Sequence, residues 1–241
     1  MKIGVFDSGV GGLTVLKELI KNSPNNHYIY VGDTLNNPYG NKSYEELLEL
    51  SSKIIEYFIK EKVDKIIIAC GTVSSNLGDY LKEKYNIPII DIISPTTDYL
   101  NKSKYNKIIV LATQMTINSK IFSKSLINKK VLEIPCPKLV PSIENNQQID
   151  NILDEYLKNI KDKYDLLVLG CTHYPIIKNE IEKYLNIKAF NMATPILNMI
   201  ENSNSNSIID INFTYLNDNI KKNINKILNN IDYNLNEIKL N

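Results

Sequence analysis

A chain of 241 residues with a formal net charge of +1, 43% hydrophobic and 23% charged, has the balance of a soluble globular protein. Near-neutral charge gives no general pull on nucleic acid or anionic membrane. No stretch approaches the roughly 18 uncharged apolar residues of a membrane span. Met1-Lys2 leads straight into Ile3-Gly4-Val5-Phe6 and then Asp7, unlike a secretory leader, so the cytoplasm is the expected location. All 28 cationic side chains are lysines. Without a guanidinium fork, a bound anion has to be held by main-chain N–H groups, hydroxyls, amides or lysine. The three cysteines, Cys70, Cys136 and Cys171, are widely spaced and odd in number, which argues against a disulfide framework. With only His27 and His173 besides, zinc-ligand spacing is missing, and no metal or cofactor is expected.

In chain order, short apolar runs alternate with helical patterns. Strands are expected near Ile3 to Phe6, Tyr28 to Val31, Ile66 to Ala69 and Ile89 to Ile92, then near Ile108 to Ala112, Val131 to Ile134, Leu166 to Leu169 and Lys188 to Phe190. Runs of Ile and Val between turn residues suit strands buried on both faces, hence parallel sheets. The clearest intervening helix starts at Ser43, where Ser43 and Glu46 form a capping box and Leu47, Leu50, Ile54, Ile55 and Phe58 share one face. This alternation predicts an α/β fold. Ser94-Pro95 and Ala193-Thr194-Pro195 divide it into two similar lobes, residues 1–94 with 196–241, and residues 95–195. The polar stretch from Glu201 to Asn206 reads as a loop. A strand around Asn212 to Leu216 and a helix from Asp218 to Asn230 follow, returning to the first lobe.

Each half contains an apolar strand that ends in a cysteine followed by small hydroxyl residues: Ile66-Ile67-Ile68-Ala69-Cys70-Gly71-Thr72, and Leu166-Leu167-Val168-Leu169-Gly170-Cys171-Thr172-His173. Ligands of parallel α/β sheets sit at the carboxyl ends of strands. Both thiols are therefore expected at that edge, each at a helix start, where the helix N-terminus lowers cysteine pKa and can also hold a carboxylate. One buried cysteine is usually a small hydrophobe; two such corners in matched halves point to chemistry. Asp7-Ser8-Gly9 closes the first strand and Gly11-Gly12 follows. A dinucleotide fingerprint is a rival reading, with Asp33 as the ribose-binding acid, but its third position is Thr14. Gly32-Asp33-Thr34 and Pro38-Tyr39-Gly40 form a loop that alone reads as a turn. His173, next but one to Cys171, is placed to support that thiol.

The motifs Asp7-Ser8-Gly9-Val10-Gly11-Gly12, Gly32-Asp33-Thr34, Pro38-Tyr39-Gly40, Cys70-Gly71-Thr72 and Leu169-Gly170-Cys171-Thr172-His173-Tyr174-Pro175 resemble those of the glutamate racemases, in that family's order. Cys136-Pro137-Lys138-Leu139-Val140-Pro141-Ser142-Ile143-Glu144 resembles its segment with a functional Glu. The likeness spans most of the chain and is thin in the last 45 or so residues. It implies two α/β lobes with the substrate between them, and cofactor-independent racemisation of glutamate, supplying D-glutamate for peptidoglycan. Cys70 would act on the D-enantiomer and Cys171 on the L-enantiomer, assisted by Asp7 and His173. Ser8, Pro38, Tyr39, Gly40, Gly71, Thr72 and Thr172 would line the substrate site, with Asp33 and Glu144 as secondary positions. A homodimer is compatible with this reading. The rivals are a racemase for another amino acid, such as aspartate, and a non-catalytic relative that binds an amino acid or a protein.

The chain departs from the family pattern in three places. Gly71 stands where the family usually has Asn, Leu35-Asn36-Asn37 lacks its usual Arg, and Asn191-Met192-Ala193 lacks an acidic residue. At Gly71 the favoured expectation is a lost amide contact to substrate, which Asn would restore; the alternative is a main-chain requirement for glycine.

Overall fold

The computed structural model describes residues 1–160, 163–203 and 207–240. The end of the expected 201–206 loop, residues 204–206, lies outside them. The order is β1 (Lys2–Asp7), α1 (Leu13–Asn22), β2 (His27–Gly32), α2 (Tyr44–Lys60), β3 (Lys65–Ile68), α3 (Gly71–Lys84), β4 (Ile89–Asp91) and α4 (Ile93–Asn101). The chain continues through β5 (Lys107–Ala112), α5 (Gln114–Ser119), α6 (Ile121–Ser125), β6 (Lys130–Pro135), α7 (Leu139–Glu144) and α8 (Asp150–Leu157). It closes with β7 (Leu166–Leu169), α9 (Lys178–Leu185), β8 (Ala189–Asn191), α10 (Ala193–Leu197), β9 (Ile208–Phe213), α11 (Asp218–Ile227) and β10 (Asn234–Glu237).

The strands form two all-parallel sheets flanked by helices, in the orders β10-β9-β2-β1-β3-β4 and β6-β5-β7-β8. Burial on both faces explains the unbroken apolar runs: Ile66, Ile67 and Ile68 are all fully buried, as are Ile108 to Ala112. Side chains from α1, α4 and α10 join residues of both sheets in one continuous apolar layer, so the lobes share a core. The capping box of α2 forms as its sequence requires, Ser43 Oγ accepting from Glu46 N–H at 3.1 Å and Ser43 N–H donating to Glu46 Oε2 at 2.8 Å.

Each sheet reverses its strand order once, and there adjacent loops leave in opposite directions and open a crevice. In the six-stranded sheet the reversal falls between β1 and β3, whose ends carry Asp7 and Cys70; in the four-stranded sheet it falls between β5 and β7, which lead to Thr113 and Cys171. Two crevices facing one another make the site.

The C-terminal segment differs from expectation. The strand expected at Asn212 to Leu216 begins four residues earlier, at Ile208, and pairs with β2. Its polar residues hid it: Asp210 bonds His27 at 2.6 Å, and Asn212 Nδ2 donates to the Tyr30 carbonyl at 3.1 Å. Strand β10 was not expected at all. Its sequence, Asn234 to Glu237, has poor strand propensity and sits exposed at the sheet edge. It is held by main-chain pairing with β9 and by side-chain bonds from Asn234 to Asp210 (2.8 Å) and from Asn236 to Asn212 (3.2 Å).

Candidate active site

A cavity of about 90 Å³ lies between the two crevices. Ser8, Pro38, Tyr39, Gly40, Cys70, Gly71, Thr72, Cys171, Thr172 and His173 all line it, which unites most of the residues singled out by sequence. Asp7, Asp33 and Glu144 stand behind this lining.

Cys70 caps the N-terminus of α3 and is 4% exposed; its thiol lies 3.9 Å from Ser8 Oγ. The expectation of a lowered thiol pKa fails here. Burial, with the Asp7 and Cys171 charges adding to it, pushes Cys70 up to about 12, and the Val73 N–H of the helix start offsets only part of this. Behind Cys70, the wholly buried Asp7 accepts from Gly9 N–H and Ser8 Oγ, both at 3.2 Å. Burial raises its pKa against the opposing charge of His173 and the hydroxyl of Thr172.

The second corner also differs from expectation: Cys171 does not open an α-helix. A turn and the 3-10 segment Tyr174–Ile177 intervene before α9. Cys171 has His173 instead. The thiol lies 3.8 Å from His173 Nδ1, and Nε2 bonds Glu144 Oε1 at 2.8 Å. The ring is 2% exposed. Burial disfavours its charged form, yet Cys171 and Glu144 together raise its pKa well above the usual histidine value. The shift favours the protonated ring beside Cys171.

The glycine-rich turn after β1 packs against this pair rather than cradling a phosphate. A Cβ at Gly11 would collide with His173 Nδ1 and stand 2.5 Å from Thr172 Oγ1. Thr14, the misfit in the dinucleotide pattern, donates to the Thr172 carbonyl at 2.9 Å. Asp33 is no ribose ligand either. It accepts from Tyr39 Oη (2.6 Å), Thr214 Oγ1 (2.7 Å) and Asn36 Nδ2 (3.0 Å), which fixes the loop bearing Pro38, Tyr39 and Gly40.

At Gly71 the geometry favours the alternative, a main-chain requirement, over the lost amide contact. A Cβ there would lie 2.7 Å from the main-chain oxygen of Gly170 in the facing sheet's loop. Two backbones meet here, so a side chain at 71 fits only if one of the two loops shifts.

Sequence reading missed several residues. Thr113 and Gln114 line the cavity, and Thr113 Oγ1 bonds Thr72 Oγ1 at 3.0 Å across the lobes. Their signal is their position just past the strand ending at Ala112, the same strand-end position that the cysteines occupy. Asn37, Asn41 and Cys136 also line the cavity. Cys136 is fully buried, and burial, aided by the Cys171 charge, pushes it up to about 12. Among the described lining residues His173 is the one side chain able to carry positive charge; the polar lining is otherwise hydroxyls, amides, thiols and main chain.

A model of the Asp/Glu/hydantoin racemase family matches residues 12–199. The chain belongs to that family. It is therefore an isomerase, an amino-acid racemase. A glutamate racemase from Fusobacterium nucleatum is 43% identical over 209 residues, 81% of this chain and 78% of the relative. One from Clostridium acetobutylicum is 41% identical over 190 residues, 74% of each. The crystal structure of Francisella tularensis glutamate racemase in complex with D-glutamate matches with a TM-score of 0.90 at 32% identity, covering 100% of this chain and 98% of that one. The two-lobed α/β fold expected from sequence is the fold of these neighbours. Among the described residues no helix is long and apolar enough to cross a membrane.

Proposed function

We propose that this racemase interconverts L- and D-glutamate by a two-thiol mechanism, and that its product serves peptidoglycan synthesis in the cytoplasm. The observation that carries the reading is the pair of crevices that aim Cys70 and Cys171 into one cavity from opposite sheets. The lobes would comprise residues 1–94 with 196–241, and residues 95–195. A substrate held between them presents opposite faces of its α-carbon to the two sulfurs.

In each turnover one cysteine, as thiolate, takes the α-proton, and the C–H electron pair remains on carbon. The opposite thiol then donates its own proton to the other face, which inverts the centre and leaves that sulfur as thiolate. The sulfurs thus exchange protonation states, and proton exchange through Asp7 behind Cys70 and His173 beside Cys171 restores the starting state. Burial of Cys70 favours its thiol form in the empty site; the ammonium group of an arriving amino acid would counter this by favouring thiolate.

With no lysine in the described lining and no arginine in the chain, the substrate carboxylates fall to neutral donors. Ser8, Thr72, Thr113, Thr172, Asn41 and Gln114 supply them. Neutral donors fixed before the reaction stabilise developing charge without reorganising. The mechanism calls for no cofactor. Polarimetry with L- and D-glutamate, and with both enantiomers of aspartate, tests the substrate. Loss of optical rotation from both glutamate enantiomers supports it; turnover of aspartate alone would reassign it.

A further inference from the structure

Glu144 belongs to the four-stranded lobe, yet its polar atoms are gripped from the six-stranded one. Its carboxylate accepts from Asn37 Nδ2, at 3.2 Å to Oε1 and 3.4 Å to Oε2. Its main-chain carbonyl ends α7 and accepts from Asn219 Nδ2 at 2.9 Å and Asn223 Nδ2 at 3.0 Å. These two asparagines stand one turn apart on α11. A helix C-terminus leaves its last carbonyls without intrahelical donors, and here the other lobe supplies them. The junction is close-packed: a Cβ on Gly9 would lie 3.4 Å from both Asn37 Nδ2 and Glu144 Oε1. From the side of its own lobe, Glu144 receives His173 Nε2, and the other ring nitrogen faces Cys171.

We propose that Asn37, Asn219 and Asn223 form an inter-lobe clamp on Glu144, so that His173 is held against Cys171 only while the lobes are closed. The inference rests on the two-thiol reading. The choice of amides matters. An amide restrains a carboxylate without cancelling its charge, whereas a lysine would neutralise Glu144 and compete with His173 for it. The groups that face His173 are Glu144 from α7, Cys171 on its own segment and Asp7 from the end of β1. Parting of the lobes would release Glu144 from all three amides and leave its bond to the imidazole unrestrained. The three asparagines are positioning residues: they act on Cys171 through Glu144 and His173, and tie proton movement on that face to the closed, water-poor site.

The test reads His173 directly. The chain has two histidines, and His27, paired with Asp210 at the start of β2, is the internal control. Histidine NMR titrations would compare the unaltered enzyme with Asn37→Ala and with Asn219→Ala combined with Asn223→Ala. In both variants the His173 midpoint is expected to fall by about one pH unit, with His27 unchanged. The racemisation kcat is expected to fall on the order of tenfold. With α-deuterated glutamates, the primary isotope effect is expected to rise for the enantiomer deprotonated on the Cys171 face and not for the other. Asn219→Gln and Asn223→Gln, which keep the amide, should recover part of the loss. An unmoved His173 midpoint with balanced isotope effects overturns the clamp, as does an activity loss matched only by a lower melting temperature. Racemisation by Cys70→Ser or Cys171→Ser would instead defeat the two-thiol reading, while the His173 titration would still decide the clamp.

Discussion

Gly71 and Gly170 bring the main chains of the two lobes together, with room for no side chain between them: a Cβ at 71 would stand 2.7 Å from the Gly170 carbonyl oxygen. A backbone atom cannot swing aside as a flexible side chain can. Gly71→Ala and Gly71→Asn must therefore either strain the closed form or hold the lobes apart. Overpacking of this kind costs about 1–3 kcal/mol. Both variants are expected to melt lower and to lose kcat/KM, Asn at least as much as Ala. A Gly71→Asn enzyme that gains kcat/KM for glutamate would show that the lobes separate freely and that the missing amide was the true deficit.

The two thiols make complementary demands. One sulfur can remove a proton from its face but cannot deliver one to the other face, so Cys70→Ser and Cys171→Ser should each abolish racemisation of both enantiomers. Either variant retaining one intact thiolate is still expected to exchange the α-proton of a single enantiomer with heavy water. NMR of the α-proton measures exchange and polarimetry measures inversion. Substantial inversion by either variant would sink the assignment of both sulfurs as acid/base groups.

Stability should decline as the solution is made alkaline. Cys70 is raised from 9.0 to about 12, so the unfolded chain releases this proton first. Between those values the folded state binds more protons than the unfolded state, and stability falls by up to about 1.4 kcal/mol per pH unit. His173 acts in the same sense. Its folded pKa lies above the ordinary value, so its contribution is complete below about 6.5 and is lost as pH rises through the folded value. Asp7, also raised, disfavours folding once pH exceeds its ordinary range and its buried carboxyl must ionise. Urea titrations at pH 8, 9 and 10 are expected to show falling stability, with a shallower slope in Cys70→Ser. Equal slopes in the two proteins would contradict the raised thiol.

Gly11 tests whether the glycine-rich turn serves His173. An added Cβ would collide with His173 Nδ1 and meet Thr172 Oγ1 at 2.5 Å, both buried and hemmed in. Gly11→Ala is expected to cost about 1–3 kcal/mol of stability and to reduce kcat through displacement of the imidazole. Denaturant melts and steady-state kinetics measure the two effects. A Gly11→Ala variant with unaltered kcat would mean that His173 can shift without consequence for Cys171.

Apolar runs such as Ile66 to Ile68 and Leu166 to Leu169, buried on both faces, declare parallel strands by composition alone, and the cysteine that follows each run lies at the ligand-binding edge by topology. For that reason the fold class and the two thiol corners were legible in the sequence. So was the capping box at Ser43 and Glu46, because its two bonds are local. Strand β10 was not legible: its residues have no strand preference of their own, and only the neighbouring β9 makes them one. The sense of the Cys70 pKa shift also lay beyond the sequence. A helix N-terminus can be read from neighbours in the chain, but the burial that outweighs it comes from residues far away in sequence, such as Phe6 and Tyr39, packed into the same core. The same holds for Gly71, Asn37, Asn219 and Asn223. Along the chain Gly71 reads as a lost amide and the three asparagines as turn or background residues, and each acquires its role from an atom far away in sequence, Gly170 or Glu144. Periodicity and strand-end position fix what local chemistry can fix; contacts between lobes depend on packing that no local pattern encodes.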